Sequence, residues 1–120
     1  MILVDTSIWI DHLHRGNDAL QYLLDANAVA LHHFVYGEIA LGNLKDRARV
    51  LKDLSKIPRA LTVSHEDVAS LVEDRRLFGS GIGWIDAHLL ASALARGDLV
   101  WTRDRRLEVV ASRLGIDASA

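Results

Sequence analysis

Apolar residues along this chain come in short blocks separated by polar stretches of helical period. Ile2-Leu3-Val4 is a run without alternation, as expected of a strand buried on both faces. Thr6 and Ser7 then offer an N-cap for a helix running to about Arg15 and ended by Gly16. Asn17 or Asp18 restarts a helix through Leu24, with Leu20, Leu23 and Leu24 on one side. Residues 28–31 read as a second strand. Helical patterns follow over residues 35–44 and 47–56, the latter stopped ahead of Pro58, the only proline. Residues 61–63 read as a third strand. Ser64, followed three residues later by Asp67, opens a helix to Phe78 that turns Val68, Leu71 and Val72 inward. Gly79-Ser80-Gly81-Ile82-Gly83 is the richest glycine stretch and predicts a loop. A strongly apolar helix spans residues 84–95, a fourth strand residues 99–102, and a last helix residues 107–114.

Buried-type strands alternating with helices predict an α/β fold, a three-layer α/β/α sandwich around a central parallel sheet. A chain of 120 residues without repeat or linker reads as one domain, residues 1–120. In such sheets the ligand crevice lies beyond the carboxyl ends of the strands.

Four acids stand where packing alone explains them poorly. Asp5 ends the first apolar run. Glu38 interrupts Phe34-Val35-Tyr36-Gly37 and Ile39-Ala40-Leu41. Asp86 opens a stretch nearly free of polarity through Leu94, and Asp104 follows the fourth strand after one arginine. Asp5 and Asp104 fall at strand carboxyl ends, and Glu38 lies early in a helix that follows a strand. Asp86 reaches the same edge if its helix starts there. Taken singly, a strand-end turn, a solvated helix position or an N-cap explains most of them. Taken together, they predict a site for Mg²⁺ or Mn²⁺, hard cations that prefer oxygen ligands. Two carboxylates ~4 Å apart repel by about 4 kcal/mol at an effective dielectric near 20, so such a cluster calls for a cation or raised pKa values.

Composition narrows the remaining choices. Hydrophobic residues make up 50% of the chain and the mean hydropathy is +0.13, an apolar surplus that suggests a protein partner. No apolar run approaches the ~20 residues of a membrane span. The absence of cysteine excludes disulfides and thiolate sites, and the N-terminus lacks the pattern of a signal peptide. A reducing compartment, most simply the cytoplasm, is expected. The net charge of −2 argues against a simple phosphate-binding protein. Even so, Arg75-Arg76 and Arg103, Arg105 and Arg106 form clusters suited to bidentate phosphate contact.

The six histidines show neither a helical i, i+4 pair nor zinc-type spacing and read as surface or structural groups, with His88 a candidate neighbour for Asp86. Thr6, Ser7 and Thr102 carry hydroxyls beside Asp5 and Asp104 that could orient a carboxylate. No phosphate-cradling glycine motif and no nucleophile elbow is present.

The opening Met1-Ile2-Leu3-Val4-Asp5-Thr6-Ser7-Ile8-Trp9-Ile10, the segments Gly37-Glu38-Ile39-Ala40-Leu41-Gly42 and Gly83-Trp84-Ile85-Asp86-Ala87-His88-Leu89-Leu90-Ala91-Ser92, and Trp101-Thr102-Arg103-Asp104 together resemble the PIN domain. More narrowly they resemble the VapC toxins of type II toxin–antitoxin systems, over essentially the whole chain. The resemblance implies a metal-dependent endoribonuclease in which Asp5, Glu38, Asp86 and Asp104 are catalytic and bind Mg²⁺, with Mn²⁺ as a substitute. Asp5 and Asp86 would be the most direct ligands. It also implies a homodimer and a cognate VapB-type antitoxin that occludes the active site and carries the complex to operator DNA. Trp9 and Trp84 are candidates for that apolar groove, or for the core. Two competitors stand beside this reading. One is a phosphatase of the haloacid-dehalogenase type, disfavoured by Ser7 where a second acid is needed. The other is a catalytically weak or inactive PIN-like regulatory module acting through partner binding.

Overall fold

The computed structural model describes residues 1–118. Three parallel strands form its centre: β1 (Ile2–Val4), β2 (Val29–Ala30) and β3 (Leu99–Trp101), in the order β2-β1-β3. Ile2 pairs with Val29 on one side and Leu99 on the other, and Val4 reaches Trp101. β1 is therefore central, which explains why its three residues are all apolar. Seven helices surround the sheet: α1 (Thr6–Arg15), α2 (Asp18–Asp25), α3 (His33–Ala40), α4 (Arg47–Leu54), α5 (His65–Asp74), α6 (Trp84–Arg96) and α7 (Arg105–Arg113). No helix of the described residues is long and apolar enough to cross a membrane. The α/β sandwich expected from the pattern is the fold observed.

One core joins β1 and β2 to α1 and α3 through Leu3, Val4, Ile8, Trp9, Val29, Val35 and Ile39. A second packs β3 against α7 through Val100, Leu107, Val110 and Ala111. Helix α6 belongs to both: Leu89 faces the first core, while Leu90 and Ala93 face the second. Residues 87–93 are all buried, as a helix apolar on every side requires. Trp9 is 2% exposed and belongs to this interior, which removes it from any partner groove; Trp84, 46% exposed, remains at the surface.

The strand expected at residues 61–63 does not form. The outer edge of β2 is paired one step earlier, where Leu31 N donates to Pro58 O at 2.8 Å and Ala60 N donates to Leu31 O at 3.1 Å. Pro58 supplies only its carbonyl, which is what an edge position allows. By Leu61, 45% exposed, the chain has left the sheet. The other edge is covered similarly: Val100 N donates to Ile116 O and Ala118 N to Val100 O. Helix ends differ by a few residues from the pattern. α3 begins at His33 because the His32 Nδ1 caps it, accepting from Phe34 N at 3.0 Å, and α5 stops at Asp74 rather than Phe78.

Candidate metal centre in an acidic cleft

All four acids named from the sequence line one open cleft of about 520 Å³ beyond the carboxyl ends of β1 and β3, together with Thr6, Ser7, Gly83, Ile85 and Arg103. Each comes from a different element. Asp5 follows β1 and caps α1, its Oδ1 accepting from Thr6 N at 2.8 Å. Glu38 lies in α3. Asp86 sits in the first turn of α6, where its Oδ2 accepts from Gly83 N at 2.9 Å and so fixes the start of that helix at the cleft. Asp104 caps α7, its Oδ1 accepting from Arg106 N at 2.9 Å and Leu107 N at 3.2 Å. At Asp5, Asp86 and Asp104 the capping role and the cleft position are thus held by the same residue.

Two hydroxyls tie the acids together. Thr102, buried at the end of β3, donates from Oγ1 to Asp5 Oδ2 at 2.7 Å and accepts from Asp104 N at 3.0 Å. Thr6 donates from Oγ1 to Glu38 Oε1 at 2.8 Å. Asp5 takes the capping role the sequence offered to Thr6 or Ser7, which leaves the Thr6 hydroxyl available to reach Glu38, 32 residues away in the chain. Burial pushes the Asp86 carboxyl above its ordinary value. The Gly83 N–H opposes the rise, and the charges of Asp5, Asp104 and Glu38 add to it. The four groups therefore share one electrostatic field.

Among the described residues, no three His, Asp or Glu side chains already stand as a group that could hold a metal ion. The acids ring the cleft rather than meet at a point. One oxygen each of Glu38, Asp86 and Asp104 takes no hydrogen bond among the described residues. Carboxylate and hydroxyl oxygens alone make a donor set for a hard divalent cation, and nitrogen or sulfur donors for softer metals do not line the cleft.

His88 does not neighbour Asp86. The two side chains, two residues apart on α6, leave the helix in different directions. His88 Nε2 lies 3.1 Å from His65 Nδ1, and its ring packs against Phe34 and Trp84. His32 stacks on His33 and meets His88 edge-on at 6.5 Å between ring centres. This imidazole cluster, drawn from the start of α3 and from α5 and α6, had no signal in the spacing of the histidines. Of the arginine clusters, only Arg103 lines the cleft; the carbonyls of Arg75 and Arg76 instead receive the guanidinium of Arg113.

Residues 2–113 match the PIN domain, and the chain belongs to that family. Within the family it falls with the VapC proteins. Over 117 residues, 97% of this chain and 94% of its relative, it is 44% identical to Ribonuclease VapC32 of Mycobacterium tuberculosis, in two strains. Among solved structures it superposes on FitAcB from Neisseria gonorrhoeae with a TM-score of 0.64 at 20% identity, covering 93% of this chain and 94% of that one. FitAB bound to an IR36 DNA fragment gives 0.62 at 22% identity, covering 93% and 91%. At those identities the likeness is one of fold.

Proposed function

We propose that this chain is a hydrolase, a divalent-metal-dependent endoribonuclease that cleaves RNA phosphodiester bonds as the toxin of a type II toxin–antitoxin pair. One observation carries the reading: carboxylates from four separate elements share one cleft and one field, and the ionised form of Asp86 is penalised there. A bound cation offsets that penalty. The ribonuclease name of the VapC32 relative supports RNA as the substrate class.

In this reading Asp5 and Asp86 hold Mg²⁺, or Mn²⁺ in its place, and Glu38 and Asp104 complete the site. Drawing them onto a shared ion takes side-chain rotation from the positions described. When bound, the ion supplies a Lewis acid that makes water more acidic and offsets charge developing on the phosphate. Thr102 orients Asp5, and Thr6 orients Glu38, through the hydroxyl bonds described above. Glu38 or Asp104 takes the proton as water attacks phosphorus, the P–O bond to the leaving nucleotide breaks, and the leaving oxygen gains a proton from solvent. The partners fitting this reading are a second copy of the chain and a VapB-type antitoxin that delivers the complex to operator DNA. The DNA-bound FitAB assembly among the structural neighbours accords with the second of these. A reducing, cytoplasmic setting suits such a protein.

The test is RNA cleavage by purified protein with Mg²⁺ or Mn²⁺, comparing Asp5→Asn and Asp86→Asn. Losing a neighbour of a metal ligand typically costs about 10–100-fold, so loss of a ligand itself is expected to cost about 100-fold or more. Undiminished cleavage by both variants sinks the assignment.

A further inference from the structure

An acidic cleft that must receive a polyanion has an electrostatic problem even after a cation is bound. The residues lining this cleft include one cation, Arg103. Its side chain is 49% exposed, and NH2 donates to Asp11 Oδ2 at 2.9 Å. That contact uses one of the five N–H donors of the guanidinium; the others have no partner among the described residues. Asp11 does not line the cleft. It lies on α1, 12% exposed, and its carboxylate is held from two further directions, by Arg15 Nε on Oδ1 at 2.5 Å and by Asn17 Nδ2 on Oδ2 at 3.3 Å. An acid bonded this fully is a fixed anchor, and an arginine held by one prong keeps the rest of its fork available. By contrast Arg105, also on this corner, is 85% exposed, its nearest carboxylate contact being Glu108 at 3.5 Å.

We propose that Asp11 is a positioning residue that holds Arg103 against the acidic cleft, where the open edge of the guanidinium contacts the RNA phosphodiester next to the one being cleaved. This rests on the ribonuclease reading above. The anchor lowers the ordering cost of a long side chain, which otherwise loses rotamer entropy on binding. It also fixes Arg103 relative to Asp104, its neighbour in sequence, so the phosphate contact and the acid keep one spacing.

The experiment measures cleavage of a short single-stranded RNA by wild type, Arg103→Ala, Arg103→Lys, Asp11→Asn, Asp11→Glu and the Asp11→Asn/Arg103→Ala double variant. Binding is measured in parallel across salt concentrations in the Asp86→Asn background. Arg103→Ala should raise KM by about tenfold and flatten the salt dependence of binding by about one counterion. Asp11→Asn should move the same two quantities in the same direction and add nothing when Arg103 is already alanine; Asp11→Glu should recover part of the loss. An anchor that only stabilises the fold would lower the melting temperature and leave the salt slope alone. An unchanged salt slope in Asp11→Asn, or effects that add fully in the double variant, overturns the proposal while wild-type cleavage keeps the ribonuclease reading standing. Absence of cleavage by wild type removes both.

Discussion

Two groups of titratable side chains lie around helix α6, and they solve the problem of burying polarity in opposite ways. The acids on one side keep partial access to solvent, accept one or two hydrogen bonds each, and carry charge whose mutual repulsion is left for something else to neutralise. On the other side, two of the imidazoles are pushed towards the neutral form. His32 is fully buried, and burial together with His33 and His88 holds its pKa down to about 4; burial and the neighbouring imidazoles of His65 and His33 likewise lower His88. Because His32 Nδ1 accepts from Phe34 N, the ring proton sits on Nε2, which is buried without a partner among the described residues. A buried imidazole held neutral serves packing; carboxylates gathered in an open cleft keep their oxygens within reach of a ligand.

The comparison can be broken most forcefully at Asp5. Both Asp5→Asn and Asp5→Ala should reduce RNA cleavage by about 100-fold or more, but only alanine removes the acceptor that caps α1. Urea titration should therefore show Asp5→Ala about 1 kcal/mol less stable than Asp5→Asn. Equal stabilities would mean the carboxylate serves the site alone.

The second test acts on the imidazole side. His32 has a folded pKa below its unfolded value of about 6.5, so its contribution to stability is present above that pH and is lost as pH falls towards 4. Across that window the protein should lose about 2–3 kcal/mol. His32→Asn keeps a side-chain acceptor for the Phe34 N–H and cannot titrate; its acid denaturation curve should be flatter over the same range. A wild-type curve level from pH 6.5 to 4 would show the stack to be better hydrated than its burial implies.

The smallest effect sharpens the contrast. Asp86 is shifted the other way: its pKa is raised, so stability is greatest when it is protonated and declines as pH rises through its folded pKa. In chelator at neutral pH, Asp86→Asn should melt slightly above wild type, and added Mg²⁺ or Mn²⁺ should reverse the order by stabilising wild type only. Stabilisation of both by metal would place the ion elsewhere.

Much of this was legible before the fold was known, and the exceptions share a cause. β1 announces itself because a central parallel strand is apolar at every position, and α6 because a helix inside two cores has no polar face. Asp5 and Asp104 could be placed at a strand end from chain order. The edge pairing at Pro58 to Ala60 could not, because an edge contact asks only for extended backbone and leaves no alternation to read. The imidazole cluster and the Asp11–Arg103 pair were equally silent. Their members lie as far apart as 56 and 92 residues, and nothing local marks residues that meet only when β2 and β3 align beside β1.

Asp5 and Asp104 each cap a helix with the same carboxylate that faces the cleft. This limits how such a protein can lose activity by mutation. Most replacements at either position disturb folding as well as chemistry, and a misfolded chain cannot hold a partner. Asparagine and serine are the short polar residues that can keep the cap while removing the negative charge. A lineage selected to disarm this protein yet retain it as a folded, partner-binding chain should therefore collect those two residues at positions 5 and 104, and seldom hydrophobic ones.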